Sequence, residues 1–249
     1  MSVFEILILV AAGFVSGAIN AVAGGGTFIA FGALTLVGLP PITANATSSI
    51  TQFPGYVTST LAYRRELKVI GRAALPFLIV SALGGLVGAL ILLALDNPQF
   101  RAMVPWLLIA ATALFAAGPR ITRALKARQM HASPLVAWAI QFLVAIYGGF
   151  FGAGMGIMML ASLGLTEGED FHRLNAIKTL LSVVIAIIAI IVFVNGGLIA
   201  WSAAWVMLIA VAIGGYLGVA AARRFPQAWV RGFVIAVGLF LTVYYFVTG

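Results

Sequence analysis

The chain has 249 residues, of which 63% are hydrophobic and only 8% charged, and its mean hydropathy is +1.16. A water-soluble surface needs about 25% charged side chains, so a soluble domain is excluded and an integral membrane protein is expected. The lack of cysteine removes disulfides, thiolate metal ligands and thiol relays. The net charge of +8 does not point to nucleic acid, because the basic residues sit in short loops between apolar runs, where they read as topology signals.

No stretch alternates like an outer-membrane barrel strand, whereas many runs reach the roughly 20 apolar residues of a spanning helix. The expected fold is all-α. The first run, 4 to 23, has no basic segment before it and no small-residue cleavage site before polar sequence, so it is read as a retained helix. It ends in Gly24, Gly25 and Gly26, each of which costs up to about 1 kcal/mol in a helix interior relative to Ala. The apolar piece behind them, 27 to 38, is long enough for only half a span. Full helices follow at 45 to 63, 73 to 95 and 100 to 118, then a basic segment. The run 134 to 152 ends in a second cluster, Gly152, Gly154 and Gly156, with a second short piece at 156 to 165. Helices at 176 to 194, 203 to 222 and 232 to 248 complete the chain.

The two halves resemble each other without a gap. At a spacing of 130 residues, Ala23, Gly24 and Gly26 fall on Ala153, Gly154 and Gly156, and Asn45 and Ala46 on Asn175 and Ala176. Gly84, Gly85 and Gly88 likewise fall on Gly214, Gly215 and Gly218, and Arg101 on Arg231. Self-similarity at a fixed spacing indicates duplication. Basic loops favour the cytoplasm, and the clusters lie at 64 to 72, 120 to 131 and 223 to 231. With those loops inside, each glycine cluster must turn a hairpin, both termini lie outside, and the copies have opposite orientation. Inverted repeats with interrupted helices mark secondary transporters. Repeat 1 is 1–119, with a hairpin at 4–38. A basic cytoplasmic linker covers 120–133, and repeat 2 is 134–249, with a hairpin at 134–165. Gly84, Gly85, Gly88 and their counterparts are read as close-packing positions.

After each half-helix the next helix starts with polar sequence, "NATSSITQ" at 45 to 52 and "NAIKTLLS" at 175 to 182. Residues three, four and seven apart share a helical face, which groups Asn45, Ser48, Ser49 and Gln52, and likewise Asn175, Lys178, Thr179 and Ser182. Most can donate hydrogen bonds and none is a carboxylate. The helix N-termini at Thr27 and Ile157 add oriented N–H groups. This chemistry suits an anion. Asn20, alone in an apolar helix before the glycines, joins the candidates. The plainer accounts are that Ser and Thr hydroxyls bond their own helix, that Asn45 and Asn175 are N-caps, and that Lys178 snorkels to the interface.

The segments "GFVSGAINAVAGGG" and "GLPPITANAT", with "GGFFGAGMG" and "LNAIKT" in the second half, resemble the TauE/SafE family of membrane transporters, also called sulfite exporters. The resemblance covers essentially the whole chain. It implies a bacterial or archaeal cytoplasmic-membrane carrier of sulfite, organosulfonates or related small anions. It also implies that the site draws on Gly24, Gly25, Gly26 and Asn45, and on Gly152, Gly154, Gly156 and Asn175. Met155 stands where the first copy has Gly25, a departure from the triple-glycine pattern.

A carrier binding a small anion between the repeats is the leading reading, with an anion channel or a carrier of an unrelated organic anion as alternatives. An enzyme is set aside, since His131 and His172 lie in loops and no metal-ligand or nucleophile set is present. No cofactor is expected. Coupling to H+ would need a buried acid or His, and only Glu5 lies within an apolar run. Na+ held by carbonyls at the glycine breaks, or no coupling ion, stays open.

Overall fold

The structure is a computed structural model that describes residues 1–249 except 24, 129–132, 165–170, 223–226 and 249. Among the described residues the regular secondary structure is entirely helical, without strands. In chain order the helices are α1 (Val3–Ala23), α2 (Gly26–Leu36), α3 (Pro41–Ala62), α4 (Arg64–Ile70), α5 (Leu75–Ala94) and α6 (Asn97–Arg128). They continue with α7 (Pro134–Phe150), α8 (Met155–Leu163), α9 (Phe171–Asn195), α10 (Trp201–Ala222) and α11 (Gln227–Thr248). Five of them contain segments long and apolar enough to cross a membrane: Val3–Asn20, Leu75–Ala94, Asn97–Gly118, His172–Asn195 and Arg231–Thr248. At 11 and 9 residues, α2 and α8 rise about 16 and 14 Å, half of a roughly 30 Å hydrocarbon core.

Four elements differ from the sequence expectation. Helix α3 starts at Pro41, where proline suits the first turn, so Asn45 lies one turn inside the helix and is not its N-cap. Asn175 is likewise inside α9. A short helix, α4, occupies "RRELKVI" and packs against α9. Helix α6 runs on to Arg128, so the basic segment after residue 119 begins as helix. Residues 165–170 of the acidic loop, linker residues 129–132 with His131, and Gly24 lie outside the described residues.

Helix packing follows a regular scheme. Helix α1 packs on α10 and α7 on α5; α3 packs on α10 and α9 on α5; α2 packs on α3 and α8 on α9; α11 packs on α2 and α6 on α8. Helices α3 and α9 meet each other, as do α6 and α11. Glycine permits the closest of these approaches. A Cβ on Gly88 of α5 would lie 2.0 Å from the Ile146 carbonyl oxygen of α7, and one on Gly214 of α10 would lie 2.0 Å from the Phe14 carbonyl oxygen of α1. Backbones that touch in this way are the usual small-residue solution for helices in lipid. The packing role read for Gly84, Gly88 and Gly214 is thus observed.

Helix α2 is buried along Gly26–Leu34. Its Phe31 stacks on Tyr245 of α11 and meets Phe151, beyond the end of α7, edge-on. Phe100 of α6 meets Phe150 edge-on. The two breaks therefore share one aromatic core. By contrast Leu83, Leu90, Ile209 and Ile213 are exposed, as the lipid-facing sides of α5 and α10 require.

Candidate functional site

The two helix breaks use glycine for different reasons. In the second, Gly152 and Gly154 have φ of 77° and 78°, a left-handed conformation that only glycine adopts without strain. In the first, Gly25 has φ −104°, and its need for glycine is space. A Cβ on Gly25 would lie 2.6 Å from Val234 Cγ1, and one on Gly26 would lie 2.3 Å from the Ser16 carbonyl oxygen. Glycine there lets α2 start directly against α1.

A broken helix leaves carbonyls without helical partners, and in a membrane interior protein groups must satisfy them. Two polar residues of α3, seven positions apart on one face, reach the two breaks, and one of them meets such a carbonyl. Asn45 Nδ2 donates to the Phe150 carbonyl at the end of α7, at 2.8 Å. Gln52 Nε2 donates to Ser16 Oγ at 2.8 Å, and Ser16 in turn donates to the Gly26 carbonyl at 2.7 Å. Helix α3 thereby ties both breaks together. It also holds two helix starts, since Thr47 Oγ1 accepts from Ala200 N at 3.0 Å and Ile42 N donates to Asn97 Oδ1 at 3.1 Å. Within the second break, Tyr147 donates its hydroxyl to the Ala153 carbonyl at 2.6 Å.

The other hydroxyls of the stripes bond their own helices. Ser48 and Ser49 donate to the Asn45 carbonyl, Thr179 to that of Ala176 and Ser182 to that of Lys178. Asn20 is half-buried, with Nδ2 3.3 Å from where a Cβ on Gly55 would stand, and its amide has no hydrogen-bond partner among the described residues.

Lys178 is half-buried on α9, and its Nζ donates to Asn175 Oδ1 at 2.8 Å. Its stem runs past the N-terminal turn of α8: a Cβ on Gly156 would lie 3.6 Å from Lys178 Cδ. An ammonium has three donors, so two remain beyond the Asn175 bond. Among the described residues no Asp or Glu is buried, and no group of His, Asp and Glu is placed to hold a metal.

Between α3 and the second break is a cavity of about 20 Å³. Thr27, Ser49 and Gln52 line it, with Tyr56, Gly152 and Met155. The structure brings those first-copy candidates together there, while Asn175, Lys178, Thr179 and Ser182 form a separate group along α9. Ser16, Tyr56 and Tyr147 were not among the residues singled out from sequence. Ser16 and Tyr56 follow from extending two known faces by one turn, from Asn20 back to 16 and from Gln52 on to 56. A further buried network, Gln141 to Ser81 at 3.0 Å and Ser162 to Gln141 at 3.2 Å, was also passed over, although a lone Gln in an apolar helix signals itself as Asn20 did.

Interrupted half-helices in an all-helical chain with spanning segments, their breaks latched by buried polar side chains, define a multi-pass membrane protein built like a transporter. The sequence model of the family described as "Sulfite exporter TauE/SafE" matches residues 9–245, and the chain belongs to that family of membrane transporters. Similar proteins include a "Probable membrane transporter protein" of Haemophilus influenzae, 28% identical over 94% of this chain and 92% of that protein. Another is the "Probable membrane transporter protein ORF9" of a Sinorhizobium species, 27% identical over 88% and 82%. A third, "Probable membrane transporter protein YfcA" of Escherichia coli K12, is 26% identical over 89% and 82%.

Proposed function

We propose that the protein is a carrier of small anions, with sulfite, organosulfonates or related sulfur oxyanions as the substrate class, working in the cytoplasmic membrane by alternating access between two inverted repeats. The observation that carries the anion reading is Lys178. It is an ammonium set half-buried in a bundle whose described interior has no buried carboxylate, and it lies beside the N-terminal turn of half-helix α8. A helix N-terminus and a cation together favour a small anion. Asn175 positions the ammonium, and Thr179 and Ser182 lie on the same side of α9.

The inverted repeat, with boundaries near 1–119 and 134–249, is supported by the packing scheme. Under the 130-residue correspondence α1 to α3 stand for α7 to α9, and α5 and α6 for α10 and α11. The pairs α1 with α10, α3 with α10 and α2 with α3 then have as counterparts α7 with α5, α9 with α5 and α8 with α9. The basic segments 64–72, 120–131 and 223–231 are assigned to the cytoplasm and both termini to the outside, by the charge rule.

Reconstituted vesicles test the reading. Uptake of sulfite and of a short sulfonate is expected to exceed that of a carboxylate of similar size and to saturate. Equal uptake of the carboxylate, or wild-type flux in Lys178→Ala, would remove the substrate assignment. Conductance far above carrier turnover would replace alternating access with a channel.

A further inference from the structure

The cavity at the second break has a chemistry opposite to that of Lys178. The Gly26 carbonyl can only accept, so the Ser16 hydroxyl proton, 2.7 Å away, is committed to it. Ser16 Oγ can then only accept from Gln52, which fixes the NH₂ end of the amide towards Ser16, at 2.8 Å. Gln52 Oε1 is left as the free end. Gln52 is 0% exposed, Oε1 has no hydrogen-bond partner, and the residue lines the cavity. Ser49, also in the lining, donates its proton to the Asn45 carbonyl and leaves its lone pairs free. A buried acceptor without a donor is costly, so Gln52 Oε1, with the half-buried Ser49 hydroxyl in the same lining, calls for a donor or a cation.

The backbone adds to this. Phe151 and Gly152, just past the C-terminus of α7, form part of the wall, and a helix C-terminus carries partial negative charge. Thr27, at the start of α2, brings the opposite dipole end into the same lining, but an anion there would meet the lone pairs of Gln52. About 20 Å³ holds one water-sized particle and excludes a tetrahedral or pyramidal oxyanion with its oxygens. The lining contains no carboxylate, imidazole or thiolate, and neutral oxygens suit a hard monovalent cation better than a transition metal. Carbonyls at the ends of broken helices hold Na+ in transporters of inverted-repeat design.

We propose that this cavity is a Na+ site, with Gln52 Oε1 and Ser49 Oγ as side-chain ligands and the Phe151–Gly152 break supplying backbone oxygen. Lys178 is absent from the lining, so cation and anion occupy separate places and partly neutralise each other when both are bound. The site therefore supplies the coupling ion of the anion carrier proposed above, yet its occupancy can be measured without any transported anion.

The experiment is thermal unfolding of the full chain in detergent, titrated with NaCl against KCl and choline chloride at constant ionic strength, with no sulfite or sulfonate present. Binding to the folded state raises the unfolding temperature with ligand concentration. The expected result is a saturating rise with Na+ that K+ and choline do not reproduce. Ser49→Ala keeps the Gln52–Ser16–Gly26 chain intact and is expected to move the Na+ midpoint at least about tenfold higher, as loss of metal-site partners does. Gln52→Leu is expected to lower the starting stability and abolish the Na+ response together. Coincident Na+ and choline curves for the wild type, or an unchanged midpoint in Ser49→Ala, would overturn the site and leave the anion reading standing. A failed sulfite flux with an intact Na+ response would do the reverse.

Discussion

Polar side chains inside this bundle divide by where their protons go. Asn45 donates to a carbonyl that the break of α7 would otherwise leave bare, so its first task is structural. Asn45→Ala is expected to destabilise the protein by about 1–3 kcal/mol, the cost of a buried group left unpaired, and to lower flux and unfolding temperature together. Lys178 behaves differently. Its bond to Asn175 uses one of three donors, and removing the ammonium leaves one amide oxygen to repair. Lys178→Ala is therefore expected to reduce anion flux at least tenfold, about 1.4 kcal/mol, with a much smaller change in unfolding temperature. Parallel flux and thermal measurements on the two variants separate a positioning residue from a ligand. Equal losses of stability would contradict the division.

Helices in this chain approach each other as closely as their glycines allow, and the allowance varies along one helix. On α5, a Cβ at Gly88 would stand 2.0 Å from a backbone oxygen, whereas at Gly85 its nearest atoms belong to Ile185, at 3.3 Å. Gly88→Ala is expected to cost at least about 1–3 kcal/mol through overpacking, and Gly85→Ala clearly less, as Ile185 can shift slightly. Gly232→Ala, where nothing lies within 4 Å, should be neutral or slightly stabilising. The order of unfolding temperatures checks this. The second break has a separate safeguard in Tyr147, whose hydroxyl reaches the Ala153 carbonyl. Tyr147→Phe is expected to cost about 1 kcal/mol, read in the same assay.

For the molecule as a whole, orientation in the membrane decides whether the repeats are inverted. The natural chain has no cysteine, so single cysteines report on sidedness without background. Lys68→Cys, on exposed α4, is expected to react only with reagents that reach the cytoplasmic side, and Asn195→Cys, at the exposed end of α9, only with impermeant reagents added outside. Ser2→Cys should label with Asn195→Cys. Labelling of positions 68 and 195 from the same side would break the inverted-repeat reading, because α5 to α9 could not then be threaded through an odd number of crossings. Arg101, which donates to the Thr248 carbonyl, brings the start of α6 to the end of α11, in keeping with the pairing of those two helices.

Much of this was legible along the chain. Long apolar runs and glycine interruptions are local properties, so α1, α5 and α10 and both short half-helices lie close to where hydropathy places them. The stripe on α3 was legible as a stripe, because helical period is also local. What each of its residues does was not. Asn45 and Gln52 have the same standing in sequence as Ser48 and Ser49, yet the first two reach across to other helices and the last two turn back on their own. Which happens depends on whether another helix presents an acceptor within 3 Å, and that acceptor belongs to residue 150 in one case and residue 16 in the other. Composition, helical period and the glycine spacing determined the class of protein and its elements. Only tertiary structure decided which amide oxygens stay free, because a hydrogen bond between segments a hundred residues apart is set by packing and leaves no periodic trace in the chain.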